Sequence, residues 1–111
     1  MKSLRNSVTL IGRLGKDPEV REFNNGKLAK FTLATNETYQ NDKGEKVVNT
    51  YWHNCVIWGK QADTARNLLS KGKELAVHGK LVYNSFKDKE GNTRTSPEIH
   101  VHEFILMGKA S

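Results

Sequence analysis

The sequence is poor in most residues that would give it a disulfide framework, a membrane span or a catalytic centre. Its 111 residues include one cysteine, two prolines and two methionines. A lone cysteine, Cys55, excludes an intramolecular disulfide and suits a reducing compartment. No apolar run approaches the roughly 20 residues that a spanning helix needs. The opening Met-Lys-Ser-Leu-Arg-Asn lacks the apolar stretch of a secretion signal. No phosphate loop of the Gly-x-x-x-x-Gly-Lys-Ser/Thr kind is present, no serine sits in a nucleophile motif, and no carboxylates pair beyond ordinary surface acids. Gly12-Arg-Leu-Gly-Lys16 is too short for such a loop and reads as a strand end followed by a turn. Metal-ligand spacing is missing too. Cys55 and His53 flank Asn54 without a second cysteine, and His100 and His102, two apart on one strand, are the one candidate pair. An enzyme, a metal site or a bound cofactor is therefore not expected.

Acidic residues are also in the minority. Twelve face 18 lysines and arginines, for a formal charge of +6. A basic balance favours an anionic partner such as nucleic acid, an acidic membrane or an acidic protein, and is compatible with plain solubility. Hydrophobic residues make up 36%, a modest share that oligomerisation can supplement by burying more surface. The length suits one domain, residues 1–111, around one core.

One stretch organises the rest. Asn49 to Lys60 holds both tryptophans. Read as a strand, it puts Trp52, Asn54, Val56 and Trp58 on one face and Tyr51, His53, Cys55 and Ile57 on the other. The Ile57 side reads as core. The tryptophan side mixes two large rings with a polar asparagine and ends at Lys60. Two rings on one strand face in a basic protein suit a sequence-tolerant single-strand binder; two ordinary buried tryptophans are the plainer alternative.

Around this stretch the alternation of apolar residues predicts a strand from Ser7 to Leu14, well buried on both faces, and a turn at Gly15–Pro18. A short extended piece, Val20 to Phe23, leads into the tight-turn signature Asn24-Asn25-Gly26. Leu28 to Thr38 is the next strand, with Ala29, Phe31 and Leu33 on one face and Lys30, Thr32, Ala34 and Asn36 on the other, and Tyr39 to Lys46 is a polar loop. Gln61 to Ser70 is the one helix, with Gly72 as its C-terminal cap. Lys73 to Phe86 and Thr93 to Met107 are long strands joined by a charged tip, Lys87 to Asn92, and Pro97 marks an edge or a break. Phe23, Phe31 and Phe104 read as structural. The pattern is all-β, with one short helix between the third and fourth of five strands. The five-stranded OB Greek-key barrel fits it best.

On that framework four aromatics, Tyr39, Trp52, Trp58 and Phe86, lie on strand faces or at strand ends beside loops. Basic residues form no block, but Arg5, Lys30, Lys60, Lys71, Lys73, Lys80 and Lys87 are placed to ring the aromatic face and follow a phosphate backbone.

The ordered anchors Gly12-Arg-Leu-Gly-Lys-Asp-Pro-Glu19, Phe31-Thr-Leu-Ala-Thr35, Tyr51-Trp-His53, Trp58-Gly-Lys60, Leu69-Ser-Lys-Gly72 and His78-Gly-Lys-Leu81 resemble the bacterial-type single-stranded DNA-binding proteins from about Ser7 to Met107. The resemblance implies an OB fold, usually a homotetramer, that wraps and protects single-stranded DNA without catalysis in replication, repair and recombination. Its setting is the cytoplasm, with the nucleoid. It implies base stacking at Tyr39, Trp52, Trp58 and Phe86, and a subunit contact at His53. This sequence departs from the family pattern in places. Tyr39 and Phe86 stand where many members carry tryptophan, and Trp58 where many carry phenylalanine. The run Val82-Tyr83-Asn84-Ser85 lacks the usual basic residues. Met107-Gly-Lys-Ala-Ser111 has no acidic tip, so tail-mediated recruitment of enzymes is not expected of it. A primosomal or plasmid-borne relative, an RNA-binding OB module and a small enzyme are the competing readings.

Overall fold

Alternation along the first strand sets the architecture. In the computed structural model, which describes residues 4–107, a 3-10 turn at Leu4–Asn6 leads into β1 (Val8–Leu14). Leu14 is buried, Val8 and Leu10 are half-buried against the core, and Ile11 faces outward, half exposed. The expected burial of both faces of this strand is therefore corrected, because only one face meets the barrel interior.

Five further strands follow: β2 (Glu19–Phe23), β3 (Gly26–Gln40), β4 (Lys46–Trp58), β5 (Glu74–Lys87) and β6 (Thr93–Leu106), with helix α1 (Lys60–Leu68) between β4 and β5. The sheet runs β1-β5-β6-β4-β3-β2 and closes on itself through β1–β3 pairs at Arg13–Ala34 and Leu14–Leu33. Five strands make the closed OB barrel. The short extended piece at β2 is a sixth, paired to β3 as a hairpin through the Asn24–Asn25 turn. Greek-key order appears where β4 runs parallel to β6 at Cys55–Ile99 and Val56–His100. Inside lie Ala29, Phe31 and Leu33 of β3, Cys55 and Ile57 of β4, Leu75 and Val77 of β5, and Ile99 and Val101 of β6.

Barrel curvature requires a break in strict alternation. In β6 that break is a bulge: His78 pairs with Glu103 but Gly79 pairs with Val101, leaving His102 extra. Inward positions switch from Ile99 and Val101 to Phe104 and Leu106 across it. Gly79 lies directly against the His100 carbonyl, where no side chain fits. His100 and His102 both lie on the outer side, as their spacing leads one to expect, and line one hollow.

The helix ends two residues earlier than expected. Ala62 and Ala65 are buried, Leu69 is buried in extended backbone just past the helix, and Leu68 is exposed. Gly72 does not cap it. It belongs to the Ser70–Lys73 turn, where Lys73 N–H donates to the Ser70 carbonyl and Gly72 N–H donates to Leu14 of β1. A Lys27–Asp63 ion pair at 3.0 Å ties α1 to β3.

Two arms project from the barrel. The expected loop from Tyr39 to Lys46 is shorter by its ends, since β3 and β4 stay in register to Gln40–Lys46 and leave residues 41–45 as the turn. Its tip is closed by Asn41, whose side-chain oxygen accepts from the N–H of Lys43 and Glu45. The β5–β6 arm likewise stays paired to Lys87–Thr93, and Pro97 sits in it opposite Tyr83 without breaking the ladder. At this tip Arg94 and the Asn92 N–H hold the Asp88 carboxyl below its ordinary pKa. Of the three phenylalanines read as structural, Phe31 is buried and Phe104 packs on the core, while Phe23 is half exposed at the β2 hairpin. Residues Gly108 to Ser111, where the sequence shows no acidic tip, lie outside the described residues.

Candidate nucleic-acid interface

The candidate face is built by one uninterrupted register. In β3–β4, Leu28 lies opposite Trp58, Lys30 opposite Val56, Thr32 opposite Asn54 and Ala34 opposite Trp52. Opposed residues of an antiparallel pair share a face, so these eight share one face, with Leu28 and Val56 buried in it. The intervening Cys55 and Ile57 are buried. They anchor the backbone from behind, and burial pushes the Cys55 thiol up to about 12. In front, Trp52 is 62% exposed and Trp58 is 53% exposed. Two of the largest apolar side chains thus stand in solvent on a rigid strand, against the ordinary preference of tryptophan for burial. Trp52 has a seat: its ring edge lies over Gly15, close enough that an added methyl there would fall 2.5 Å from its Cζ3.

The β5–β6 arm supplies the facing wall. Its ladder puts Val82 opposite Glu98, Asn84 opposite Ser96 and Phe86 opposite Arg94. Between this wall and the tryptophan face runs a cleft of about 800 Å³, lined by Lys30, Thr32, Asn54 and Val56 on one side and Asn84, Phe86, Ser96 and Glu98 on the other. Lys16, Asp17 and Glu19 lie at its end. A smaller hollow of about 270 Å³ adjoins it, shares Lys30, Val56, Asn84 and Glu98, and reaches Trp58. A third, of about 470 Å³, joins Trp58 to Lys60, Lys80, His100 and His102. Trp58, Phe86, Lys30, Lys60 and Lys80 are therefore gathered on one surface with Trp52.

Other residues singled out in the sequence stand apart. Tyr39 is half exposed, but it lies opposite Val47, one step out of phase with the Trp52 row, so it occupies the other face of its arm. Lys87 is exposed beside Phe86 at the arm's end. Lys71 and Lys73 lie on the turn held against β1, where the Lys71 N–H donates to Asp17 at 2.8 Å. Arg5 is in the turn before β1. His53 is on the side away from the tryptophans, with Nε2 2.9 Å from Thr35 Oγ1. Asn54 was placed on the tryptophan face by alternation, but Thr32, Asn84, Ser96 and Glu98 were not assigned to the site by sequence reasoning. The signal that finds them is the pairing register, which propensity alone does not give.

The arrangement offers stacking surfaces, a cleft lined by both polar and apolar groups and lysines near its edges, which is what a flexible polyanion with flat bases requires. Among the described residues no three His, Cys, Asp or Glu side chains gather to hold a metal. No helix among them is long and apolar enough to cross a membrane.

Known proteins carry the same pattern. The model of the single-strand binding protein family matches residues 5–107. Single-stranded DNA-binding proteins of Neisseria meningitidis serogroups A and B are each 38% identical to this chain over 104 residues, covering 93% of it and 60% of their own length. Single-stranded DNA-binding protein 1 of Chlorobaculum tepidum is 39% identical over 105 residues, 93% of this chain and 65% of its own. The chain thus spans less than two thirds of the curated relatives it matches. A solved structure of the Plasmodium falciparum SSB in complex with ssDNA superposes with a TM-score of 0.86 at 30% identity, covering 97% of this chain and 98% of that one.

Proposed function

This chain belongs to the single-strand binding protein family, and from that premise we propose that it binds single-stranded DNA without regard to sequence and shields it during replication, repair and recombination. It acts by occupancy and not by catalysis. The observation that carries the reading is the pair of exposed tryptophans on one face of β4, backed by buried Cys55 and Ile57. A π-face is common to all bases, so such platforms hold a strand whatever its sequence. Lys30, Lys60 and Lys80 beside them supply the attraction for phosphate that the net charge of +6 makes general. Trp52, Trp58 and Phe86 are the stacking residues of this reading, with Tyr39 extending the path along the other face of its arm. Lys71, Lys73, Lys87 and Arg5 act as outlying phosphate contacts.

The same reading makes the working form a homotetramer, with His53 near a subunit contact, in the cytoplasm with the DNA. Exposed Ile11 and Ile105, both opposite Ala76 in the β1–β5–β6 ladder, support self-association, because they leave an apolar strip on the barrel's outer side.

The test is a titration of intrinsic tryptophan fluorescence with oligo(dT). Emission falls on binding, and Trp52→Ala or Trp58→Ala weakens affinity by about 1–3 kcal/mol. The slope of log K against log salt is about −0.7 for each phosphate neutralised. Unchanged affinity in both variants, or a flat salt dependence, defeats the proposal.

A further inference from the structure

The hollow of about 470 Å³ beside Trp58 is bordered by two kinds of basic group, the lysines Lys60 and Lys80 and the histidines His100 and His102. As classes they differ. Lysine stays charged through neutral pH, whereas imidazole gains and loses its charge between about pH 5 and 8. Register gathers them. His100 lies opposite Lys80 in the β5–β6 ladder and beside Val56 in the β4–β6 pair. His102 is the extra residue of the bulge and is exposed. Lys60 opens α1 directly beyond Trp58 and Gly59. The other two histidines lie elsewhere: His53 bonds Thr35, and His78 has Nδ1 2.8 Å from Thr9 Oγ1.

One acid opposes this group. Glu98 Oε1 is 3.2 Å from His100 Nε2, and the two side chains are 14% and 26% exposed. His100 borders both the 470 Å³ hollow and the 270 Å³ hollow that Glu98 lines. Lys30 of β3 lies on the smaller hollow too, while β4 adds Val56 and Trp58, which carry no charge. Glu103, next to His102 on β6, is opposite His78 on β5. Beside a neutral imidazole, Glu98 keeps its full negative charge against an approaching strand. Beside an imidazolium, the pair is neutral.

A base stacked on Trp58 brings its phosphates to the rim of that ring. Resting on the single-stranded DNA reading above, we propose that this hollow is a phosphate subsite which protonation of His100 and His102 completes. Lys60 and Lys80 attract the phosphate throughout. Protonated His102 adds a third cation and a charge-assisted N–H donor. Protonated His100 cancels the repulsion from Glu98, which is strong at short range away from bulk water. Both effects have one sign, so binding tightens as pH falls through the histidine range. Linkage is reciprocal, and a bound strand therefore holds protons on both rings.

The experiment is a fluorescence titration with oligo(dT) at pH 6 and pH 8, at one ionic strength, for the wild type and for His100→Gln/His102→Gln. Thymine and phosphodiesters do not titrate in this range, and ordinary carboxylates stay ionised. Glutamine hydrogen-bonds without taking up a proton. Each protein is compared with itself, as the ratio of its two affinities. In the wild type the ratio approaches about tenfold in favour of pH 6, from two contacts of about threefold each, within the range of exposed ion pairs. In the double variant it falls below about twofold. A second measurement needs no variant: at pH 6.5 the ring resonances of His100 and His102 report more imidazolium with saturating oligo(dT) than without it. A pH ratio that survives in the double variant overturns the proposal, and so do rings whose protonation ignores the strand. Failure of the wild type to bind oligo(dT) at either pH is a different result, and overturns the function on which this inference rests.

Discussion

Gly15→Ala separates the seat of a stacking platform from the platform itself. Gly15 follows β1 and donates its N–H to the Thr32 carbonyl at 3.1 Å. Its backbone is not in the positive-φ region, so alanine adopts it without strain. The added methyl falls 2.5 Å from Trp52 Cζ3, 3.1 Å from Cη2 and 3.0 Å from Thr32 Oγ1, against 3.4–4 Å for ordinary contact. The ring must therefore retreat by about 1 Å. Because Trp52 is 62% exposed, it can swing into solvent and forfeit only a few atomic contacts of about 0.1–0.2 kcal/mol each. Stability falls by less than about 1 kcal/mol, within the range of surface changes. Binding suffers more, since the displaced ring loses much of the roughly 1–3 kcal/mol that a stacked base contributes. Fluorescence titration with oligo(dT) measures the loss, and thermal unfolding measures stability. The decisive comparison is a double-mutant cycle with Trp52→Ala. If Gly15 acts through Trp52, the double variant binds no worse than Trp52→Ala alone, a large departure from additivity. Additive losses, or a fall in Tm with affinity intact, refute the reasoning.

Two further outcomes follow from the core. Gly79→Ala drives a methyl into the His100 carbonyl at the β6 bulge, where the obstacle is backbone; it costs more than about 3 kcal/mol, read as a fall in the urea midpoint or loss of folded protein. Cys55, its pKa raised from 9.0 to about 12 by burial, resists thiol reagents at pH 8 until the protein unfolds. In the folded state it holds its proton where the unfolded chain has lost it, so its contribution to stability is full below pH 9 and is lost as pH rises toward 12. Cys55→Ala flattens that alkaline decline, and an unchanged decline contradicts the assignment.

The tryptophan face was legible because its evidence is local. Alternation puts Trp52 and Trp58 opposite Cys55 and Ile57, and β4 carries no bulge to spoil the count. The barrel strands were legible for the same reason. What stayed hidden depends on partners distant in sequence. Val56 shares the tryptophan face yet is buried, since β6 pairs beside it and it floors the clefts facing the arm. At the β3–β4 arm the polar run from Tyr39 reads as loop, but Tyr39 and Gln40 pair with Val47 and Lys46 before the turn begins. Gly72 reads as a helix cap until β1 claims its N–H. The bulge at His102 left a trace that alternation could have shown, in the switch of apolar positions from Ile99 and Val101 to Phe104 and Leu106. Glu98 carried no such trace, as its meaning comes from the walls around it.

The barrel closes between β1 and β3 at Arg13–Ala34 and Leu14–Leu33, and Trp52, opposite Ala34, rests on Gly15 immediately beyond. A closure of two residue pairs, as short as the β4–β6 contact, is open to local steps well below the cost of global unfolding. If a base stacks on Trp52 as proposed, it holds that ring against the seam. On the proposed reading, occupied protein opens there more rarely than empty protein, and the amide hydrogen of Gly15, donated across the seam to the Thr32 carbonyl, exchanges with solvent more slowly in proportion to occupancy. Resistance to proteases at the seam would then rise with occupancy by a strand.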